Sequence, residues 1–256
     1  MSAVERSGFV APRPSFRLEF DVRGSLLDAA LGCEADVFLK WYGNTGEQLD
    51  DEYGPYGGSS VFLALVDDAG EVVGSCRMIL PGPAGLKTLS DLSGDPWGVD
   101  GSRSAGAARL NLATTWDVAT LGVRDGLGED GRMAAAALYH GLIQATRANE
   151  VSALVSILDD RVRSLLRSVG VVTHPLPGAS TRPYLGSSAS TPVYGRMPQS
   201  LNTWRRIAPD AYRLIALGAG LDSVSVPALD AFRLRSERLL SIDLTSPLPV
   251  VPSARR

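Results

Sequence analysis

The sequence predicts a mixed α/β (α+β) domain, one sheet flanked by helices. Three stretches predict it. Residues 16–22 alternate apolar and polar side chains as a half-buried strand does. Residues 61–66 and 71–80 flank Asp67-Asp68-Ala69-Gly70, whose Asp and Gly supply the chemistry of a hairpin turn. Residues 116–157 read strand, glycine loop, helix, strand, and the rest of the chain is arranged around them. With 256 residues and 45% hydrophobic content, the chain can bury one large core, with or without an appendage.

Composition excludes several functions. A net charge of −3 and the lack of any basic run beyond Arg-Arg pairs give no electrostatic case for nucleic acid. Cys33 and Cys76 make no disulfide framework and fit a reducing cytosol, so the expected compartment is cytoplasmic. No apolar run reaches the length of a membrane span, and the N-terminal residues lack the order of a signal peptide. Two histidines and two cysteines without ligand spacing argue against a metal site.

Taken in order, residues 1–15 are expected as a flexible tail. A helix beginning at Gly24 carries apolar positions 27, 30, 31, 35, 38 and 41. Residues 42–60 are polar, aromatic and glycine-rich, too long for a turn and therefore expected to be functional. Arg77 lies on the second hairpin strand. Residues 86–92 suggest a short helix and 94–106 a mobile loop. After the strand at 116–123 comes a loop with Gly126, Gly128 and Gly131. The following helix, about 131–149, has a stripe at 134, 138, 142 and 145, and 151–157 is apolar enough for a strand covered on both faces. A short amphipathic helix at 159–168, a strand at 171–174 and a last strand at 191–197 complete a domain over 16–198. Residues 199–256 form a helical C-terminal extension, with helices near 203–217 and 227–240 and an extended or disordered end at 247–252. Trp204, Tyr212, Leu214, Leu229, Phe232 and Leu239 there either cover the domain's own core or make a homodimer surface.

Backbone N–H groups of a glycine loop that opens a helix can hold a phosphate. Residues 126–131 match G-x-G-x-x-G as a string, but the preceding 115 residues do not alternate strand and helix as a dinucleotide fold requires. A plain helix start, with Asp130 as N-cap, explains the same residues. His140 reads as a satisfied helix histidine, and His174 lies near a strand end.

The series of elements is similar to that of the GNAT-type N-acyltransferases, and within them to the acyl-homoserine-lactone synthases and the synthases of N-acyl amino acids. Val37-Phe38 falls in the first helix. Glu47, Asp50, Asp51 and Tyr53 follow as an acidic, aromatic loop. Residues 73–81, Val-Gly-Ser-Cys-Arg-Met-Ile-Leu-Pro, resemble the family's Gly-small-x-Arg-x-Leu strand, and 116–123, Trp-Asp-Val-Ala-Thr-Leu-Gly-Val, its Trp-Glu strand. Leu165-Leu-Arg-Ser-Val-Gly170, a Pro-Leu-Pro-Gly loop and Tyr184-Leu-Gly186 resemble the last helix and the loop beyond. The resemblance covers about 16–197. Where the family has two arginines this chain has Glu34 and Thr120, and Asp117 stands in for glutamate, so acyl transfer is better supported than lactone synthesis.

The resemblance implies a central pair of parallel strands that splay apart, and a donor that is an acyl-coenzyme A or an acyl-carrier-protein pantetheine thioester. The donor's arm would run along Leu121, Gly122 and Val123. Its phosphate end would meet Gly126, Gly128, Gly131, Arg124 and Arg132. Amide formation needs a carboxylate near the amine, and Asp117 and Glu47, with Arg77, are the candidate catalytic residues. Tyr184 or a water would protonate the leaving thiolate. No metal is called for. The partners expected are a small amine or amino-acid-like acceptor, with an acyl carrier protein and a second copy of the chain as further readings. The functions that stay open are an N-acyltransferase, an acyl-homoserine-lactone synthase, and a degenerate fold that binds a thioester or partner protein without turnover.

Overall fold

The structure, a computed structural model, describes residues 15–235. Strand β1 (Phe16–Phe20) leads into α1 (Ser25–Tyr42), α2 (Gly46–Tyr53) and a 3-10 turn (Gly54–Ser59). The hairpin β2 (Ser60–Asp67) and β3 (Val72–Ile79) is followed by α3 (Lys87–Ser93), α4 (Gly101–Ala107) and a second 3-10 turn (Leu112–Thr114). The central unit is β4 (Thr115–Val123), α5 (Asp130–Ala148), β5 (Ala153–Asp159) and α6 (Asp160–Ser168). Then come β6 (His174–Pro175), β7 (Arg182–Tyr184), β8 (Ser187–Arg196), α7 (Met197–Ile207), α8 (Pro209–Leu217), β9 (Val224–Ser225) and a third 3-10 turn (Leu229–Phe232).

The strands form one mixed sheet in the order β6-β8-β5-β4-β3-β2-β1-β9, with β7 also on β8. The pairs β4–β5 and β1–β9 are parallel; the others are antiparallel. On one face α5 packs its small residues Ala134, Ala137 and Ala145 with Leu138 onto Leu18, Leu63, Cys76, Met78 and Trp116. Gly141 allows this close approach, because a Cβ there would sit 2.6 Å from Leu18 Cδ2. The other face carries α1 over Phe62, Ala64, Val66 and Val72. Each large apolar side chain buried in this way contributes about 1.5–3 kcal/mol.

Local chemistry explains where the elements depart from the expected ones. Residues 46–53 are helical because Thr45 and Gln48 form a reciprocal capping box. The expected mobile loop contains α4, whose N-terminus is capped by Asp100 accepting from the Arg103 N–H at 2.9 Å. The helix expected at 203–217 is two helices, since Pro209 has no N–H to continue α7 and instead starts α8. Of the helix expected at 227–240, the described part holds only the 3-10 turn at 229–232. Leu239, residues 1–14 of the N-terminal tail and the 247–252 stretch lie outside the described residues.

Two residues proposed for a dimer face, Trp204 and Phe232, are buried inside the protein. In α1 the buried face is centred on Ala30, Cys33, Glu34 and Val37, while Trp41, the last residue of the expected stripe, is exposed. Among the described residues no helix is long and apolar enough to cross a membrane.

The site is created by one break in the sheet. Strands β4 and β5 pair only through Thr115–Ala153, Trp116–Leu154 and Asp117–Val155. Beyond these they part, although β4 runs on to Val123 and β5 to Asp159. The Ser156 hydroxyl, donating to the Val118 carbonyl at 2.7 Å, is the first span across the gap.

Candidate active site

The gap opens into a cavity of about 240 Å³ lined by residues from both faces of the sheet. On the α5 face the lining is mainly apolar, including Leu142, Leu154, Met197, Leu201, Trp204 and Ile215, with Tyr139 of α5 and Ser200 of α7 as polar members. On the face covered by α1, α2 and α3 it is polar, including Tyr53, Lys87, Asp91, Asp117 and Tyr184. Helices α7 and α8, which carry the chain across the expected boundary at residue 198, build one wall of this cavity.

Asp117 sits where the strands part, fully buried. Its Oδ2 accepts the Thr88 backbone N–H at 2.6 Å and its Oδ1 accepts the Thr88 hydroxyl at 2.9 Å. Burial pushes its carboxyl up to about 7; Asp91 adds to the rise, while the Thr88 hydrogen bonds and Lys87 pull against it.

Lys87 precedes Thr88 and points its ammonium into the polar chamber. Its Nζ lies 2.7 Å from Glu52 Oε2, 2.7 Å from Asp91 Oδ2 and 3.0 Å from the Tyr184 hydroxyl. The Tyr184 hydroxyl in turn donates to Asp91 Oδ2. Burial alone would depress the ammonium, but Asp91 and Glu52 outweigh it and hold its pKa above the usual lysine value. Rings of Tyr53 and Tyr184 lie 5.3 and 5.7 Å from Nζ. Burial, and then the negative charge of Asp91, raise the Tyr184 phenol, so it stays protonated.

Tyr184 is held in place by its turn. Residues 184 and 187 pair across Leu185 and Gly186, which have φ of 39° and 80°. Positive φ at both central positions is the type I′ hairpin geometry. Gly186 is required twice over, since a Cβ there would lie 2.0 Å from the Tyr42 carbonyl oxygen.

The other sequence-derived candidates are spread around this chamber. Arg77 is almost fully buried and does not line the cavity. Its Nε donates to Glu34 Oε1 at 3.0 Å, its NH2 group binds Glu34 Oε2, and its guanidinium lies 4.3 Å from the Tyr53 ring and 4.8 Å from Phe62. Thr120 donates its hydroxyl to the same Glu34 carboxylate. Glu47 is exposed in the first turn of α2, and Glu52, five residues on, is the α2 acid that reaches the chamber. Lys87 and Asp91 are the cavity-lining pair that sequence reasoning missed. Their signal is an i,i+4 pair on a short helix whose first residue is a buried lysine.

Leu121 lines the cavity, whereas Gly122 and Val123 pair with Ser75 and Gly74 of β3. Ala119 also lines it and is skipped in the β3 pairing, which passes from Met78–Val118 to Arg77–Thr120. Strand β4 thus has an unpaired stretch of backbone toward the gap. In the glycine loop, Gly126 and Gly128 take positive φ, and the Gly131 N–H is bonded to Gly128. Arg124 pairs with Asp36 at 2.8 Å, Lys40 with Asp125, and Arg132 is exposed. His140 is satisfied by the Ile215 carbonyl and Gln144, and His174 is exposed. Among the described residues, no three His, Cys, Asp or Glu side chains converge as metal ligands.

No protein-family model and no curated protein matches the sequence. Among solved structures the chain is similar to FeeM, an N-acyl amino acid synthase from uncultured soil microbes. The TM-score is 0.56 at 13% identity, covering 74% of this chain and 94% of that one. It is similar also to BjaI, a CoA-dependent acyl-homoserine lactone synthase. The form with MTA gives a TM-score of 0.54 and the form with SAM and isopentyl-CoA 0.51, each at 15% identity over 89% of this chain and 99% of that one. What the chain shares with these proteins is the fold, an open mixed sheet flanked by helices of GNAT-like arrangement.

Proposed function

We propose that the protein is an N-acyltransferase that moves an acyl group from a pantetheine thioester to a small amine. The observation that carries this reading is the cavity through the β4–β5 gap, mainly apolar toward α5, α7 and α8 and carrying Lys87, Asp91, Asp117 and Tyr184 toward α3. Such a passage suits a reaction joining an alkyl chain to a cationic nucleophile. The acyl chain lies among Leu142, Leu154, Leu201 and Ile215. The thioester carbonyl rests against the unpaired backbone of β4, where the N–H of the bulged Ala119 meets its developing negative charge. The amine approaches from the chamber of Tyr53, Asp91 and Tyr184.

The amine nitrogen attacks the carbonyl carbon, the C–N bond forms, and the C–S bond then breaks. One proton passes from nitrogen to a carboxylate, and the thiolate takes one to leave as a thiol. Asp117, poised near neutrality, and Asp91 are the carboxylates placed for the first transfer. Tyr184 is the donor for the second, and its hydrogen bond to Asp91 lets the proton that the amine gave to that carboxylate replace the one the phenol loses. Arg77 positions Tyr53 and Glu34 rather than touching substrate. The pantetheine arm follows the β4 edge at Leu121, Gly122 and Val123. Its phosphate end meets Arg124, Gly126, Gly128, Gly131 and Arg132, whether coenzyme A or an acyl carrier protein supplies it. The lactone-synthase reading shares this donor side and differs in its acceptor.

The test is thiol release from octanoyl-coenzyme A and from an octanoyl carrier protein, with and without amine, together with the product's mass. Amine-dependent release with a product one octanoyl group heavier is expected. A thioester that binds but is never cleaved, across acyl lengths and an amine panel, would leave a binding protein without turnover.

A further inference from the structure

We propose that the acceptor is a cationic amine that carries no carboxylate, received in the chamber of Tyr53, Glu52, Lys87, Asp91 and Tyr184. The inference rests on the acyl-transfer reading and sets the class of its second substrate.

The chamber has no cation to spare. Among the described residues that line the cavity, Lys87 is the one cation, while Asp91, Asp117 and Asp159 are acids. An ammonium has three N–H donors. Those of Lys87 face Glu52, Asp91 and Tyr184 at 2.7, 2.7 and 3.0 Å. A substrate carboxylate would have to displace one of these; losing Asp91 or Tyr184 would leave a largely enclosed polar group without its partner, the costly way to break such a pair, whereas Glu52, 38% exposed, is the partner that water could replace. The nearby buried Arg77 is no substitute. Glu34 holds two of its nitrogens, and its guanidinium is enclosed by Tyr53 and Phe62 outside the cavity.

The balance of charge favours a cation instead. Lys87 set against Glu52 and Asp91 leaves one negative charge in the chamber, before Asp117 is counted. The carboxylate at the far end, Asp159, is already taken by Arg161 and Ser187 and sits apart from this balance. The chamber's carboxylates then stand ready to take the proton that the ammonium must lose before it attacks.

The test uses matched pairs that differ by one carboxylate: tyramine with tyrosine, tryptamine with tryptophan, and putrescine with ornithine. Each is titrated calorimetrically into the full chain, with and without the unreactive thioether analogue of octanoyl-coenzyme A. Each is also offered to octanoyl-coenzyme A, with the product read by mass. In at least one pair the carboxylate-free member should bind about tenfold or more tightly than its partner, equivalent to about 1.4 kcal/mol, and the preference should shrink in Asp91→Asn. Equal or tighter binding of the amino acids, or no binding by either member of any pair, overturns the inference. Acylated amino acids would leave acyl transfer standing and remove this acceptor class. Preferential amine binding without any acylation would leave the acceptor class and remove the catalytic reading.

Discussion

Asp117 on β4 takes both the backbone N–H and the hydroxyl of Thr88, at 2.6 and 2.9 Å. This two-point clamp ties α3 to the strand at the residue where β4 leaves β5. Because Lys87 adjoins Thr88, the clamp also fixes the ammonium that organises the polar chamber. Thr88→Val removes one of the two donors and leaves a buried carboxyl oxygen short of a partner. A loss of about 1–3 kcal/mol in urea denaturation is expected, with a larger fall in acyl transfer than in thioester binding. A variant as stable as the wild type would show that the clamp does not hold α3.

The raised pKa of Asp117 has a consequence for stability. A carboxyl at about 7 when folded and near 3.8 when unfolded keeps its proton longer in the folded state. Its contribution is therefore greatest below the unfolded value and is lost as pH rises from about 4 to about 7, at about 1.4 kcal/mol per pKa unit. Asp117→Asn should lack this loss. Denaturation midpoints for both proteins between pH 4.5 and 8 check it, with the variant gaining on the wild type as pH rises. Parallel curves would mean that the carboxyl is ionised throughout.

Glu34 and Arg77 are a buried pair that neither residue can leave cheaply. Arg77→Met alone strands the Glu34 carboxylate and should cost about 3–5 kcal/mol. Glu34→Leu combined with Arg77→Met should recover most of that loss, since a buried pair replaced by apolar groups is often neutral. A double-mutant cycle by thermal denaturation measures the coupling. Additive losses would show that the two side chains act independently.

Trp204 is part of the apolar wall of the cavity. Its indole N–H donates to the Val169 carbonyl at 2.6 Å, and Ala208 and Tyr212 lie behind it in the same apolar cluster. Trp204→Leu should enlarge the cavity there and shift acyl preference toward longer chains. Each methylene in such a pocket discriminates by roughly tenfold or more. Competition among acyl-coenzyme A donors of graded length reads the shift. An unchanged ranking in a folded variant would place the chain's end elsewhere.

Much of the fold was legible because its signals are local. The hairpin turn, the alternation of β1 and the stripe of α5 are periodic or rest on turn chemistry, and the structure has β1, β2, β3 and α5 there. The short helices α2 and α4 were hidden by glycine-rich composition, although Thr45 with Gln48 and Asp100 are capping signals visible in hindsight. The site was harder to read for a different reason. Lys87, Asp91, Glu52 and Tyr184 come from three separate segments, and tertiary packing alone brings them together. Arg77 is drawn away from the cavity by Glu34, a contact between α1 and β3 that no local pattern announces.

The central claim is that an acyl thioester occupies the cavity between β4 and β5. Native mass spectrometry of the full chain with octanoyl-coenzyme A tests it most directly, beside Ser156→Trp, which plugs the gap where Ser156 reaches Val118. A one-to-one complex is expected for the wild type and its loss in the variant, with the variant's folding verified by its melting temperature. Equal retention by the folded variant, or no retained thioester from acetyl to palmitoyl on either coenzyme A or a carrier protein, would contradict it.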